Sequence, residues 1–331
     1  MKRAKRFAAF VFSICIFNFL FLDVSAAEKK YKEPYINARY AVALDCNSKI
    51  MLYSKSADEN VPIASTTKII TALVAIKRGN LDKKIEISKN AASVRGSKVG
   101  YKKGEVITLK ELLYGLMMRS GNDAAIAIAE GTAGNIKNFS KLMNECAYEI
   151  GMTGSHFESP HGLDSEYHYS SAYDLAIAAC EAKKYKLFND IVSSKDVDGK
   201  TYGFTRSYHN INKILWLLPN ANGIKTGYTG GAGKCLVTSV KIKGNDVVIV
   251  VLNSTTRWKE TSKINKYIGD NYEFKKICGK GEIFSKNVKL VCPNDVVIPE
   301  KTGSEYHIKV KAPSYLKLHF NNRKCFGALY V

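Results

Sequence analysis

The 331-residue chain predicts an α+β fold, in which an antiparallel sheet packs between helices and a small β module follows. Three observations carry this expectation. Strand-like segments stand on both sides of a long helical middle. The run from Val247 to Leu252 is apolar without a break, as in a central strand covered on both faces. From about Lys276, short strand-like runs alternate with Pro, Gly and Asn turns.

The chain begins with a segment of targeting character. Lys2, Arg3, Lys5 and Arg6 precede an apolar stretch from Phe7 to Leu22, broken only by Ser13 and Asn18. Val24-Ser25-Ala26 and Ser25-Ala26-Ala27 supply the small residues of a cleavage site. The apolar stretch is shorter than the roughly 20 residues that span a bilayer. Residues 1–27 are therefore expected to be a removed signal peptide, which places the remainder outside the cytoplasm.

Ala38 to Tyr53 reads as a hairpin turning at Asp45-Cys46-Asn47-Ser48. The apolar stretch Ile69 to Ile76 predicts a buried helix behind Ser65, and Leu109 to Met118 a second one stopped near Gly121. Asn122-Asp123 can cap the next, Ala124 to Glu130. Ile136 to Ile150 and Tyr173 to Ala182 carry apolar faces at helical spacing. The period then changes to that of strands, with Lys234 to Ile242 and Asp246 to Asn253 flanking the turn Lys243-Gly-Asn. Arg257 to Tyr272 returns to helix. In the β module the strand-like runs are Val288 to Val291, Val296 to Ile298, His307 to Val310 and Leu316 to Phe320. The resulting division is 1–27 signal peptide, 28–275 catalytic domain and 276–331 small β-rich domain.

The formal net charge is +20, and removing residues 1–27, which hold a net +3, leaves +17. An exported protein does not meet cytoplasmic nucleic acid, so no nucleic-acid partner is expected. Anionic wall polymers and lipid headgroups suit the charge over long range; solubility alone accounts for many of the lysines equally well. Seven cysteines remain after Cys15: Cys46, Cys146, Cys180, Cys235, Cys278, Cys292 and Cys325. An odd, widely spaced set without a Cys-x-x-Cys pair resembles neither a disulfide framework nor a zinc site. Cys146, Cys180 and Cys235 lie in apolar runs and are expected as small core residues. A Cys278–Cys292 bridge is one available pairing and is not adopted as an expectation.

Three short motifs stand in fixed order: Ser65-Thr-Thr-Lys68, Ser120-Gly121-Asn122 and Lys225-Thr226-Gly227. A serine hydroxyl attacks carbonyls poorly until a base removes its proton. A lysine can be that base when burial and a neighbouring cation depress its pKa. Lys68 lies one helical turn after Ser65 on the same face, beside Ile69 and Ile70, and Lys225 can be the neighbouring charge. Ser120 would bridge Lys68 to the leaving-group nitrogen, and Asn122 would hold the substrate backbone. Both residues are also compatible with a plain helix cap. Lys225 and Thr226 would meet a terminal carboxylate, and Gly227 would let the substrate lie along the strand edge. No metal and no cofactor is required.

Each motif recurs by chance. Ser314-Tyr-Leu-Lys317 precedes a strand-like segment, Lys301-Thr302-Gly303 follows Pro299 in a polar turn, and Ser-x-Asn recurs at Ser88-Lys-Asn90 and Ser285-Lys-Asn287. None of these copies has the apolar helix or the strong strands that frame the first set.

The motif set and its surroundings resemble the low-molecular-mass penicillin-binding proteins that act as serine-type D-alanyl-D-alanine carboxypeptidases. The similarity covers about residues 35–275. It includes Pro62-Ile-Ala-Ser65-Thr-Thr-Lys68, Met118-Arg-Ser-Gly-Asn-Asp-Ala-Ala125, Pro160-His-Gly-Leu-Asp164, Tyr169-Ser-Ser-Ala172 and Gly223-Ile-Lys-Thr-Gly-Tyr-Thr229. The resemblance implies the DD-peptidase fold shared with β-lactamases. It also implies Ser65 as acylated nucleophile, Lys68 as proton acceptor and Ser120 as third active-site residue. Lys225 would bind substrate, the amides of Ser65 and Tyr228 would form an oxyanion hole, and Arg257 would help hold the terminal carboxylate. The implied substrate is the peptidoglycan stem peptide, and β-lactams are the implied covalent inhibitors. Two features depart from the family pattern: the C-terminal module is short, and no amphipathic helix precedes the ending Phe326-Gly-Ala-Leu-Tyr-Val331.

Three rival readings fit less well. A class A β-lactamase would carry a Glu-x-x-Leu-Asn pattern between Ser120 and Lys225, which is absent. An α/β-hydrolase would need a Gly-x-Ser-x-Gly elbow, also absent, and His161 reads as a loop residue. A non-catalytic penicillin-sensing or wall-binding module would have no need of nucleophile and base together.

Overall fold

The computed structural model describes residues 33–281, 292 and 294–304, and the backbone of 309–311 and 328–330. The expected signal peptide lies outside the described residues. So do the Ser314 and Ser285 motif copies, the runs Val288 to Val291 and Leu316 to Phe320, and Cys325.

The first strands, β1 (Tyr40–Asp45) and β2 (Met51–Lys55), form the expected hairpin. A short 3-10 turn, Ala64–Thr67, then leads into α1 (Lys68–Arg78). The helical middle continues with α2 (Leu109–Met118), α3 (Asn122–Ala133), α4 (Ile136–Glu149) and α5 (Ala172–Ala182). Thr108 caps α2 with its hydroxyl at Glu111 N, and Ser171 caps α5 at Asp174 N, so polar residues start both helices. The expected cap at Asn122-Asp123 is absent: Asn122 is already helical and Gly121 precedes it without a side-chain bond. Three long strands follow, β3 (Ala221–Thr229), β4 (Gly233–Ile242) and β5 (Asn245–Leu252), and then α6 (Arg257–Asn271).

The five strands make one antiparallel sheet in the order β2-β1-β5-β4-β3. β5 is central, and its alternation explains the unbroken apolar run. Val248, Val250 and Leu252 join the core under the helical block, whereas Val247, Ile249 and Val251 join the core under α6. Each such fully buried branched side chain contributes roughly 1.5–3 kcal/mol. β3 is an edge strand, so the Lys225-Thr226-Gly227 segment keeps one side free of strand partners.

β6 (Tyr272–Cys278) starts directly at the end of α6 and pairs with β7 (Val296–Lys301). The transition out of the helix therefore falls at Tyr272, inside a strand. The second Lys-Thr-Gly copy ends β7 and turns at Gly303, with φ +87°, remote from β3. Ser88 of the Ser-Lys-Asn90 copy caps the short helix Lys89–Ser93 by accepting from Ala91 N.

Two disulfides correct the cysteine reading. Cys46, in the β1–β2 turn, pairs with Cys180 on α5, and Cys278 pairs with Cys292. Cys180 is buried as expected, but as half of a bridge; its partner is 134 residues away, a separation that no local pattern reveals. Cys146 and Cys235 are free and buried.

Candidate active site

Ser65 sits half-buried on the 3-10 turn before α1. The turn is held by its own side chains: Thr66 Oγ1 donates to Ile63 O at 2.6 Å, and Thr67 Oγ1 to Ala64 O at 2.8 Å. Ala64 takes a left-handed backbone, φ +50°, uncommon for a residue with a side chain. Gly162 presses on this turn from the facing loop. A Cβ at Gly162 would lie 2.0 Å from Ala64 O, and its φ is +81°, so only glycine fits there.

Lys68 opens α1 and is fully buried. Its Nζ lies 2.8 Å from each of three oxygens: Ser65 Oγ, Asn122 Oδ1 and the backbone carbonyl of His161. A neutral amine has two hydrogens and one lone pair. The two carbonyl oxygens can accept only the hydrogens, which leaves the lone pair for the Ser65 hydroxyl. Burial, and secondarily the charge of Lys225, hold the Lys68 pKa well below the ordinary lysine value, against an opposing pull from Asp123. The arrangement can take the proton of Ser65.

The wall opposite the sheet comes from the α2–α3 connection. Ser120 is buried there with a left-handed backbone, φ +58°. Asn122, the first residue of α3, donates from Nδ2 to Arg95 O at 2.7 Å. The sequence reading links Ser120 to Lys68 and gives Asn122 to the substrate; here Asn122 carries the link, and Ser120 is not among the acceptors of Lys68. Asp123 is fully buried and accepts from the amides of Val99, Gly100 and Tyr101, fastening segment 95–101 beside the site.

The other wall is β3. Gly227 lies against the nucleophile turn: a Cβ there would stand 3.1 Å from Ser65 N and from Ile63 O. Its lack of a side chain lets the strand approach. Lys225 is buried, with Nζ donating to Thr226 O at 2.9 Å, and burial followed by the charge of Arg257 lowers its pKa to about 7. Thr226 is also buried, whereas Tyr228 is 68% exposed. Arg257, the first residue of α6, donates from Nη1 to Gly227 O at 2.7 Å and Cys235 O at 2.9 Å. Among the described residues its buried Nε has no hydrogen-bond partner.

Between β3 and the α2–α3 connection lies a cleft in which Lys68 bonds Ser65 and Asn122, Gly227 abuts the Ser65 turn, and Arg257 bonds Gly227 O. Sequence reasoning missed three contributors that act through backbone or loop position: His161 O, Arg95 O and Asp164. Asp164 accepts from Thr229 Oγ1 at 2.6 Å and Gly231 N at 3.0 Å, tying its loop to the tip of the β3–β4 hairpin. The stretch Pro160 to Asp164 was the available signal. Burial holds the His161 and His168 imidazoles down at about 4, so both are neutral near pH 7. Among the described residues, no three His, Cys, Asp or Glu side chains gather as a metal site would require.

Comparison with known proteins agrees with this geometry. A sequence profile of the family described as D-alanyl-D-alanine carboxypeptidase matches residues 27–256. D-alanyl-D-alanine carboxypeptidase DacF of Bacillus subtilis is 36% identical over 252 residues, 72% of this chain. The match takes in 63% of that relative, so the chain spans less than two thirds of its length. Among solved structures, penicillin binding protein 5 from Haemophilus influenzae superposes with a TM-score of 0.76 at 30% identity, covering 85% of this chain and 88% of that one. A DD-transpeptidase from Streptomyces gives 0.66 at 32% identity, over 71% of this chain and 98% of its own.

Proposed function

From the premise that the chain belongs to the D-alanyl-D-alanine carboxypeptidase family, we propose that it removes the terminal D-alanine of peptidoglycan pentapeptide through an acyl-enzyme on Ser65. The observation that carries this reading is the set of three 2.8 Å contacts of buried Lys68. They support Lys68 as the base that draws the proton from Ser65 as its oxygen attacks the penultimate D-alanyl carbonyl. The proton then passes to the leaving nitrogen by way of Ser120, a relay that requires its hydroxyl to come within reach of Lys68 once substrate is bound. The amides of Ser65 and Tyr228 receive the developing oxyanion. Lys225, Thr226 and Arg257 pair with the terminal carboxylate, an assignment supported by the unpartnered Arg257 Nε. Water then releases the peptide from Ser65.

A β-lactam presents the same amide and carboxylate and should acylate the same serine. Its opened ring stays tethered where water must enter, so the adduct persists. The enzyme works outside the cytoplasm, reached through the signal at residues 1–27, and its positive charge favours anionic wall or membrane surfaces.

The test is release of D-alanine from a synthetic pentapeptide, with mass spectrometry after benzylpenicillin. We expect release, and one drug mass on the Ser65 peptide. Ser65→Ala should lose both by at least about a thousandfold. Labelling that survives in Ser65→Ala would overturn the assignment, and rapid destruction of excess drug without an adduct would favour a β-lactamase.

A further inference from the structure

Residues 87–104 contain five bases, Lys89, Arg95, Lys98, Lys102 and Lys103, and no acid. All five are exposed, and none forms an ion pair with a described acid. Elsewhere some exposed lysines are paired, as Lys266 is with Asp270 and Lys241 with Asp246, and others, Lys137 and Lys141 among them, form no ion pair with a described acid. Glu86 immediately precedes the segment and is exposed, and three other acids close to it are already engaged. Asp123 is buried against three of its amides, Glu105 pairs with Arg206, and Glu130 accepts from Asn90 Nδ2.

The segment lies on the lip of the cleft. Arg95 O is 2.7 Å from Asn122 Nδ2, and Ser97 O is 2.7 Å from Asn122 N. Gly96, at φ +88°, permits this approach, since a Cβ there would come within 2.7 Å of Asn122 Nδ2. Arg95 and Lys98 therefore flank the residue that forms the cleft wall opposite β3.

This inference rests on the reading given under Proposed function. In that reading the substrate's terminal carboxylate lies at Lys225, Thr226 and Arg257, and its scissile carbonyl at Ser65. With Asn122 holding the substrate backbone, as in the sequence reading, the peptide upstream of the scissile bond leaves the cleft past Asn122. We propose that Arg95 and Lys98 form a subsite for carboxylates in that upstream part, so that the enzyme selects stem peptides carrying a free acid over those in which it is amidated. Lys98 Nζ donates to Ala92 O at 3.0 Å, and neither Lys98 nor Arg95 is in an ion pair with a described acid, so an anion is attracted without first breaking an ion pair, and the attraction weakens with salt.

The test compares two peptides ending in D-alanyl-D-alanine, one with a free α-carboxylate on its γ-linked D-glutamyl residue and one with that group as carboxamide. At low ionic strength the wild type should process the acid with kcat/KM about tenfold above the amide, and salt should shrink the ratio. The double variant Arg95→Glu/Lys98→Glu should bring the ratio to one or below; because both peptides are compared on the same variant, a change in its overall rate of acylation cancels from the ratio. Lys137→Glu/Lys141→Glu changes net charge equally on the exposed side of α4 and should keep the wild-type ratio. Equal processing of both peptides by the wild type would overturn the subsite. So would loss of preference in the α4 variant, which would assign the effect to overall charge. Failure to cleave either peptide would instead count against the proposed reaction.

Discussion

At the scale of the residue, the site depends on two buried lysines whose protonation states oppose each other's charge. Lys225 lowers the pKa of Lys68, and Arg257 lowers that of Lys225. In the proposed reaction acylation requires Lys68 without its proton, so the acid limb of the rate is expected to follow Lys68. We predict that Lys225→Gln moves this limb to higher pH, because one of the charges holding Lys68 down is gone. The check is the pH dependence of benzylpenicillin acylation by rapid-quench labelling; an unmoved limb would separate the two lysines. The same burial costs stability. The folded pKa of Lys225 lies near 7 and the unfolded one at 10.5, so the unfolded chain binds the extra proton between those values. Stability therefore rises with pH through that window, and the penalty is complete below about pH 7. Lys225→Met should be more stable than wild type at pH 7 by about 1–3 kcal/mol, allowing for the lost bond to Thr226 O, with the gain vanishing above about pH 10.5. Thermal unfolding at pH 7 and at pH 10.5 tests both halves. Ser65, Lys68 and Lys225 were legible because their chemistry resides in side chains at characteristic spacing. The acceptor at His161 was not, because a carbonyl belongs to every residue and only the fold selects which one faces Lys68.

At the scale of the element, Ser65 is placed by the contact of a turn with a loop and with the edge strand β3. Gly162 and Gly227 are the two points where backbone meets backbone without room for a side chain. Gly162→Ala would push the loop away from Ala64 O and carry the His161 carbonyl with it, freeing one hydrogen of Lys68. We expect acylation to fall by about a hundredfold while the remaining helices and sheet stay folded. Near-normal acylation in a folded Gly162→Ala protein would show that the loop does not aim the amine. Helix α5 was legible from its helical spacing, and β5 and α1 from unbroken apolar runs, because each is buried against the core. Short pieces such as Lys89–Ser93 were not, since five residues give no period and their position follows from Ser88 and the neighbouring loop.

At the scale of the whole molecule, the helical block and the sheet are joined by packing across β1 and β5 and by one covalent link. The Cys46–Cys180 bridge fastens the turn between the first two strands to α5, closing a loop of 134 residues. A loop of that length removes much freedom from the unfolded chain, with a ceiling of about 5 kcal/mol in the chain-entropy view. The bridge lies near the end of α5 opposite Ser171. The catalytic contacts of Lys68 come instead from α1, α3 and the Pro160–Asp164 loop. Stability and chemistry should therefore separate. Replacing both cysteines, Cys46→Ser with Cys180→Ala, should lower the midpoint of urea unfolding by the equivalent of about 2–5 kcal/mol. Acylation by benzylpenicillin in the absence of denaturant should stay within about twofold of wild type. A variant as stable as wild type would mean that packing of α5 on the sheet already fixes the joint. A variant that stays folded but acylates slowly would mean that α5 transmits its position to the cleft through α1, against which it packs.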